Sequence, residues 1–159
     1  MAPYVLRVLP RMGVRDADVD DVAQEVFLAV HRGLAGFEGR SQLRTWIYGI
    51  CIRTCSNYRR RAHRKHEQVI ELPVQRASAA EGPERRAQTQ QALAALDRVL
   101  EELPMPQRSA FVLHEIEGLD MHEVARALDC PKFTAYARLY AARKHVTSAL
   151  RSLLPEGEP

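Results

Sequence analysis

The sequence has few cysteines, few aromatic residues and little net charge. Its 159 residues include three cysteines, an odd number without the spacing of a disulfide framework, which is typical of the reducing cytosol. No apolar run approaches the ~20 residues that a membrane-spanning helix needs, and no signal peptide opens the chain. We therefore expect a cytoplasmic protein that does not insert into membranes.

The common motifs of enzyme and metal sites are also missing. The sequence has no glycine-rich phosphate loop and no spacing typical of a catalytic triad. Cys51, Cys55, His63 and His66 could in principle bind zinc, but one continuous helix would spread them over more than about 15 Å, at a rise of ~1.5 Å per residue. We predict no enzymatic activity, no metal and no cofactor.

The charges that are present come in blocks. Acidic residues are concentrated at 16–25 and at 101–129, and each block precedes a basic stretch without acids, at 40–66 and at 132–151. The formal net charge of +3 hides this alternation. Two basic surfaces, each preceded by an acidic one, indicate two modules with similar roles. Solvated helix faces with a chance charge bias are the simpler alternative.

Hydrophobic residues recur with a helical period, and no convincing strand pattern occurs, so the sequence predicts an all-α fold. The first apolar stripe consists of Val19, Val22, Ala23, Val26, Phe27 and Val30. Asp16 is expected to cap this helix, and Gly33 and Gly36 lie where it should end. The next helix is expected to place Leu43, Ile47, Ile50 and Thr54 inward, opposite Arg44, Tyr48, Arg53, Asn57 and Arg60.

The helical pattern breaks down in the middle of the chain. Residues 68–89 contain two prolines, a glycine and small polar residues, which is the composition of a flexible linker. The sequence therefore predicts two small helical domains, at 1–67 and at 90–154. Each is short for a free-standing hydrophobic core, so we expect partners to contribute to its stability.

The second domain has the pattern of a helix-turn-helix. A helix is predicted at 106–116, with Gly118 ending it. Asp120, followed three residues later by Glu123, is typical of a capping box at the start of the next helix. A tight turn then leads to a longer basic helix from Lys132, the helix that would enter the major groove of DNA.

Two long segments resemble a known family. The segment DVDDVAQEVFLAVHRGLAGFEGRSQLRTWIYGICIRTCSNYRRR resembles region two of bacterial sigma factors, and LPMPQRSAFVLHEIEGLDMHEVARALDCP resembles their region four. The lack of a long middle domain is typical of the extracytoplasmic-function (ECF) type. The resemblance implies a subunit that binds RNA polymerase core and promoter DNA, both double-stranded and melted, and that is controlled by an anti-sigma factor. The alternative is a helix-turn-helix regulator that acts without core polymerase.

The resemblance also implies roles for residues of the first domain. Its acidic helix would dock on core polymerase through the non-core face, formed by Asp20, Asp21, Gln24, Glu25 and Leu28. The loop at 37–42 matches the family loop that captures a flipped base. Aromatic rings can stack on unpaired bases, for about 1–3 kcal/mol each, while arginines bind phosphates. The expected minus-ten contacts are Phe37, Arg40, Ser41, Arg44, Trp46, Tyr48, Arg53, Asn57, Tyr58, Arg59, Arg60 and Arg61. A core position is an equally good interpretation of Trp46.

The basic helix of the second domain departs from the family pattern. Its expected minus-thirty-five contacts are Lys132, Phe133, Thr134, Tyr136, Arg138, Tyr140, Arg143 and Lys144. Where relatives commonly have P-x-G-T-V-x-S-R-L-x-R-A-R, this chain has PKFTAYARLYAAR, which is more aromatic and less cationic. Such an aromatic row suits either thymine methyl groups or a protein partner. In the first domain, Gly49 replaces a usual arginine and Arg53 a common asparagine.

Overall fold

The computed structural model describes residues 2–65 and 83–153, and these ranges contain helices and turns but no strand. The all-α prediction is therefore confirmed. Most of the predicted linker lies outside the described residues. Residues 83–89, which we assigned to the linker from composition, instead form the first turns of a helix that begins at Pro83.

Seven α-helices follow one another along the described chain. They are α1 (Ala2–Arg11), α2 (Val19–Leu34), α3 (Leu43–Lys65), α4 (Pro83–Glu101), α5 (Met105–Phe111), α6 (Met121–Leu128) and α7 (Lys132–Leu153). A 3-10 turn at Asp16–Asp18 precedes α2, and a π-helical turn at Val112–Ile116 continues α5. We refer to α1 to α3 as the first unit and to α4 to α7 as the second unit.

The helix α2 buries the predicted stripe. Val22, Ala23, Val26 and Val30 are buried, which agrees with their helical spacing. The predicted cap at Asp16 is wrong: the residue at the N-cap position is Asp18. The reason is that the chain first forms the 3-10 turn at Asp16–Asp18, so that the cap position of α2 lies two residues further along the chain.

The helix α3 is buried on more than one side. Its buried residues run almost without interruption from Thr45 to Ile52 and include Tyr48, which we had expected on the outer face. Leu43, which we had expected to face inward, is exposed, and Thr54 is only half-buried. The spacing of hydrophobic residues predicts a single buried face for a helix. The helix α3, however, packs against the rest of the first unit on one side and against the second unit on another.

The second unit contains the predicted helix-turn-helix, formed by α6 and α7. The Asp120 carboxylate accepts a hydrogen bond from the backbone N–H of Glu123, and the Glu123 carboxylate accepts one from the backbone N–H of Asp120. The predicted capping box is confirmed. Asp129 ends α6 in the left-handed conformation, with φ of 50°, and this sharp turn redirects the chain into α7.

The two units share one hydrophobic core. Buried residues of α1 to α3 and of α4 to α7 belong to a single cluster, and α3 packs against α6 across the boundary between the units. Each unit therefore supplies the other with the apolar contacts that a domain of this size lacks alone. Within the described ranges, every helix is too short or too polar to cross a lipid bilayer.

Candidate nucleic-acid interface

The acidic face of α2 is exposed to solvent. It contains the residues expected to dock on polymerase, which are Asp20, Asp21, Gln24, Glu25 and Leu28, and all of them are exposed. Leu28 is an unusually open apolar side chain, with 48% of its surface accessible. Carboxylates around an exposed leucine suit a partner with basic residues around an apolar centre.

The loop after α2 is held by an aromatic pair. The rings of Phe37 and Trp46 have centroids 5.1 Å apart. Trp46 also covers Gly33, where a Cβ atom would lie 2.8 Å from the indole ring. The contacts of Trp46 are therefore those of a core ring that braces the loop. Arg40 is exposed and pairs with Glu38 in this loop, and Ser41 is half-buried.

The outer face of α3 is basic. Arg53, Asn57, Arg60 and Arg61 are exposed, and Arg61 pairs with Glu25 of α2 at 3.0 Å. A cleft of about 550 Å³ lies beside this face, between α3 and the start of α5. Its lining is strongly basic and consists of Ser56, Arg59, Arg60, His63, Arg64 and Met105.

Tyr58 is fixed to the start of α2. Its hydroxyl donates a hydrogen bond to the Asp18 carboxylate at 2.5 Å. Burial and this hydrogen bond raise the pKa of Tyr58, while the same bond lowers the pKa of Asp18. The ring thus connects α3 to α2, and its expected role in DNA binding stays a prediction.

Tyr48 lies against the second unit. Only 1% of its surface is accessible, and its hydroxyl donates a hydrogen bond to the Glu117 carboxylate at 2.5 Å. Arg7 donates two further bonds to the same carboxylate, at 2.9 and 2.7 Å. The Arg44 guanidinium lies 5.7 Å from the centre of the Tyr48 ring and donates to the Glu117 backbone carbonyl at 3.4 Å. Two residues expected to contact DNA are therefore engaged within the protein.

The Glu117 carboxylate is ionised in this environment. Burial by itself would raise the pKa of Glu117, but the hydrogen bonds from Arg7 and Tyr48 outweigh burial and lower it. Burial and the adjacent carboxylate raise the pKa of Tyr48, so this phenol keeps its proton and acts as a donor. A charged acceptor with two strong donors makes a tight contact between the units.

Arg108 is a buried cation at the same boundary. Only 1% of its surface is accessible, and its Nε donates to the backbone carbonyl of Arg11 at 2.6 Å. Its Nη1 has no hydrogen-bond partner in the described part of the chain. Burial, with a contribution from the positive charge of Arg59, lowers the pKa of Arg108 to about 10. Arg108 is still charged at neutral pH. Burying this charge costs free energy and therefore weakens the contact between the two units.

Sequence reasoning missed both Glu117 and Arg108. Arg108 lies on the apolar spacing of α5, between Met105 and Val112, and an arginine on the inner face was a signal that a second surface covers it. Glu117 gave no comparable signal, because it is one of several acids in an acidic block.

The exposed face of α7 carries the aromatic row. Phe133, Tyr136 and Tyr140 have accessible surfaces of 76%, 51% and 72%. Lys132, Thr134, Arg138 and Lys144 are exposed or half-buried nearby, and Arg143 pairs with Glu115. The opposite face is buried, as predicted, through Ala135, Leu139, Ala142 and Val146.

The cysteines of α3 lie in the core. Cys51 and Cys55 are buried, and burial raises the pKa of Cys51 to about 12 and raises that of Cys55 as well. Such thiols are poor metal ligands and poor nucleophiles. No group of side chains in the described ranges is arranged to hold a metal ion. His66 lies outside the described residues.

Comparison with known families and proteins gives one consistent result. Residues 1–65 match the family model for Sigma-70 region 2, and residues 93–146 match that for Sigma-70, region 4. The chain is 33% identical over 153 residues to the RNA polymerase sigma-H factor of Pseudomonas aeruginosa, covering 90% of this chain and 79% of that one. It is 32% identical over 162 residues to the ECF RNA polymerase sigma-E factor of Escherichia coli, covering 97% and 82%.

Two solved structures share the fold. The sigma factor RpoE from Bartonella quintana, in complex with the anti-sigma factor NepR, matches with a TM-score of 0.74 and 19% identity over 94% of this chain and 91% of that one. CnrH, in complex with the cytosolic domain of CnrY, matches with a TM-score of 0.67 and 22% identity over 93% and 80%. Each likeness extends over both units.

The depressed pKa of Glu117 predicts an acid-dependent loss of stability. A carboxylate whose pKa is lower in the folded protein stabilises the fold above its unfolded pKa, and the stabilisation is lost as pH falls through the folded pKa. We expect Glu117→Gln to cost about 1–3 kcal/mol at neutral pH, because a buried charged acceptor is lost. The cost should shrink as the wild type is acidified.

Urea unfolding from neutral to acid pH measures this effect. Glu102→Gln is the matched control, since Glu102 pairs with His145 within the second unit and is largely exposed. Parallel stability curves for wild type and Glu117→Gln over the whole acid range would contradict the prediction.

Proposed function

The chain belongs to the ECF sigma factors of the sigma-70 family, and from this premise we propose which of its surfaces bind core polymerase and which bind the promoter. Sigma factors direct RNA polymerase to promoters and are not themselves enzymes. Both sigma-70 regions occur in order along the chain, which a helix-turn-helix regulator acting without core polymerase would not require. We also assign the protein to the cytoplasm, where RNA polymerase acts.

We assign polymerase docking to the acidic face of α2. The observation that supports this assignment is the concentration of exposed carboxylates around Leu28. A positively charged surface of the polymerase would be attracted to these carboxylates over a distance. Burial of the leucine would then hold it in place. Glu25 forms an ion pair with Arg61 in this structure. On docking, Glu25 must either break this pair to bind the polymerase or keep the pair at the edge of the interface.

We assign minus-ten melting to the domain at 1–67, through the basic face of α3 and the loop at 37–42. Exposed arginines are suited to the phosphates, and Phe37 is a half-buried ring within the loop. Trp46 supports that loop by packing its ring against the ring of Phe37. Tyr48 becomes available to an unpaired base only when the second unit moves away from α3.

We assign recognition of the minus-thirty-five element to the domain at 90–154, through α7. The aromatic row on this helix offers apolar surface to the methyl groups of thymine, and Lys132, Arg138 and Lys144 surround it with positive charge. The domains at 1–67 and 90–154 would then span the promoter together, joined by the linker.

We further propose that an anti-sigma factor controls the protein. The structure of RpoE from Bartonella quintana, which has a similar fold, contains the anti-sigma factor NepR, and that of CnrH contains the cytosolic domain of CnrY. The exposed acidic face of α2 and the aromatic row of α7 are the surfaces that such an inhibitor would have to cover to block polymerase and DNA.

The docking assignment predicts the effect of reversing two charges. Asp21→Lys with Glu25→Lys should weaken binding to core polymerase at least about tenfold, because like charges would meet across the contact. The circular dichroism spectrum should stay unchanged, since both residues are exposed. Glu84→Lys with Glu102→Lys makes the same charge change on the second unit and should have little effect. Normal affinity of the first double variant in a titration with core polymerase would reject this face.

The melting assignment predicts a change in salt dependence. Arg60→Ala with Arg61→Ala should lower the slope of log affinity against log salt by about 2, because each phosphate contact contributes about 0.9. Arg85→Ala with Arg86→Ala removes two neighbouring exposed arginines of α4 and is the control. Holoenzyme binding to promoter DNA at several salt concentrations is the measurement, and equal slopes for both double variants would refute the assignment.

The recognition assignment predicts that Tyr136→Lys alters sequence preference. We expect discrimination at the upstream promoter element to change by at least about 1 kcal/mol, or fivefold, while core binding stays constant. Thr147→Lys adds the same charge to the exposed surface of α7, three turns further along, and should leave the preference unchanged. Selection of promoters from a randomised library gives the preference. Loss of anti-sigma binding with an unaltered preference would assign the aromatic row to the protein partner instead.

A further inference from the structure

The cleft between α3 and the start of α5 is basic on one wall and apolar on the other. Arg59, Arg60, His63 and Arg64 line it from α3, and Met105 faces them from α5. Its volume of about 550 Å³ lies within the range of small-molecule sites, ~300–1,000 Å³. We refer to it as the basic cleft. A concave surface with charge of one sign is suited to a small ligand of the opposite sign.

The arginines of the basic cleft bind only neutral acceptors in the described part of the chain. Arg59 donates to the sulfur of Met105 at 3.5 Å. Arg60 donates to the backbone carbonyl of Ser56 at 3.5 Å and to the side-chain oxygen of Asn57 at 3.3 Å. A thioether is a weak acceptor, and charged donors bind anionic oxygens more strongly than neutral ones. A bound anion would therefore compete well for these donors.

Other arginines of the protein do pair with acids. Arg61, which directly follows Arg60 on α3, pairs with Glu25 of α2 at 3.0 Å. Arg7 on α1 pairs with Glu117 at 2.7 Å. The lack of a carboxylate partner in the described ranges is therefore a property of the basic cleft, and not of the arginines of this protein in general.

Arg108 adds a buried positive charge beside Arg59. A Cβ atom on Gly13 would lie 3.0 Å from the Nη1 atom of Arg108 and 3.4 Å from the Cδ atom of Arg59, so the two side chains approach each other there. Burial, followed by the charge of Arg59, lowers the pKa of Arg108, although Asp97 and Glu101 act in the opposite direction. An anion bound at Arg59 would reduce this repulsion between like charges.

The cations of the basic cleft are distributed over successive turns of α3. Arg60 and Arg64 are four residues apart, as are Arg59 and His63, and four residues of an α-helix rise ~6 Å. A single phosphate is too small to bridge two turns, whereas linked phosphates can do so. A terminal phosphate group also carries about −1.5 to −2 charges, against one for a phosphodiester. The spacing thus favours a short, densely charged phosphate chain.

We propose that the basic cleft is a binding site for an oligophosphate, such as the phosphate chain of a nucleoside triphosphate. Arg60 and Arg64 bind phosphates from successive turns of α3. Arg59 exchanges the sulfur of Met105 for a phosphate oxygen, and His63 adds a charge when it is protonated. The inference is independent of the surfaces assigned above to polymerase and promoter.

One variant tests the basic wall of the cleft. Arg60→Gln with Arg64→Gln removes two cations at exposed positions, so the fold should be preserved. Arg53→Gln with Arg61→Gln is the matched control, because it removes the same charge from exposed positions of the same helix that do not line the cleft.

A second variant tests the facing wall. Met105→Glu places a carboxylate in the cleft without changing any residue of α3, and an acid is favourable in the first turn of a helix. Gln107→Glu is the matched control, because it adds the same charge two residues further along α5, outside the lining. Circular dichroism checks that each variant is folded, and the two walls give independent tests if one variant folds poorly.

Titration calorimetry of the full chain with sodium tripolyphosphate measures the affinity, at low ionic strength and without divalent cations. We expect saturable binding to one site, at least about tenfold tighter than binding of orthophosphate. Each cleft variant should weaken tripolyphosphate binding at least about tenfold, and each control less than about threefold. Adenosine triphosphate carries the same phosphate chain and should compete with tripolyphosphate.

Three results would overturn the inference. Equal losses in the cleft variants and their controls would show only a general attraction of anions to a basic surface. Orthophosphate binding as tight as that of tripolyphosphate would exclude a site for linked phosphates. Tighter binding of a single-stranded oligothymidylate of comparable charge, lost in the same variants, would assign the cleft to the path of DNA. The titrations contain no polymerase and no promoter, so an absence of tripolyphosphate binding would reject this site and leave the proposed function standing.

Discussion

Glu117 lies in the second unit, yet its carboxylate accepts hydrogen bonds from Arg7 and Tyr48 in the first. A buried carboxylate is stable only with such donors, and these donors come from two different helices. Glu117 therefore fixes the position of the second unit relative to α1 and α3 together. In the same arrangement of the units α3 approaches α6 at Gly49, where a Cβ atom would lie 3.2 Å from the backbone oxygen of Ala127.

Two charged side chains are buried at the boundary between the units. The Glu117 carboxylate has hydrogen-bond donors around it, whereas the Arg108 guanidinium is only partly satisfied. Apolar residues of both units merge into one core, which gives each small unit a stability that it would not reach alone. Arg108 works in the opposite sense, because its burial leaves one N–H group without a partner in the described residues. An interface with this balance is suited to opening, since separating the units removes a penalty as well as favourable contacts.

The features that sequence reasoning predicted are those that depend on neighbouring residues. The apolar stripe of α2 and the capping box of Asp120 and Glu123 are set by spacings of three and four residues, and both are present. The burial of Tyr48 could not be predicted, because it depends on Glu117, which is 69 residues away in sequence. Residues 83–89 were assigned to a linker because their composition is polar. The structure shows that α4 extends through this polar stretch, which composition alone does not indicate.

The two surfaces of the first unit to which we assign polymerase and DNA binding differ in their dependence on the contact between the units. The acidic face of α2, around Leu28, is exposed while the units are together, so a binding partner can reach it without any change in the contact between them. The ring of Tyr48 is covered by Glu117 and its surroundings until the second unit leaves. Any ligand that binds the part of α3 covered by the second unit must favour separation of the two units, and by linkage their separation must favour that ligand by the same factor. With the binding roles proposed for the two helices, docking on α2 needs no change in the contact between the units, whereas stacking of a base on Tyr48 requires the second unit to leave α3.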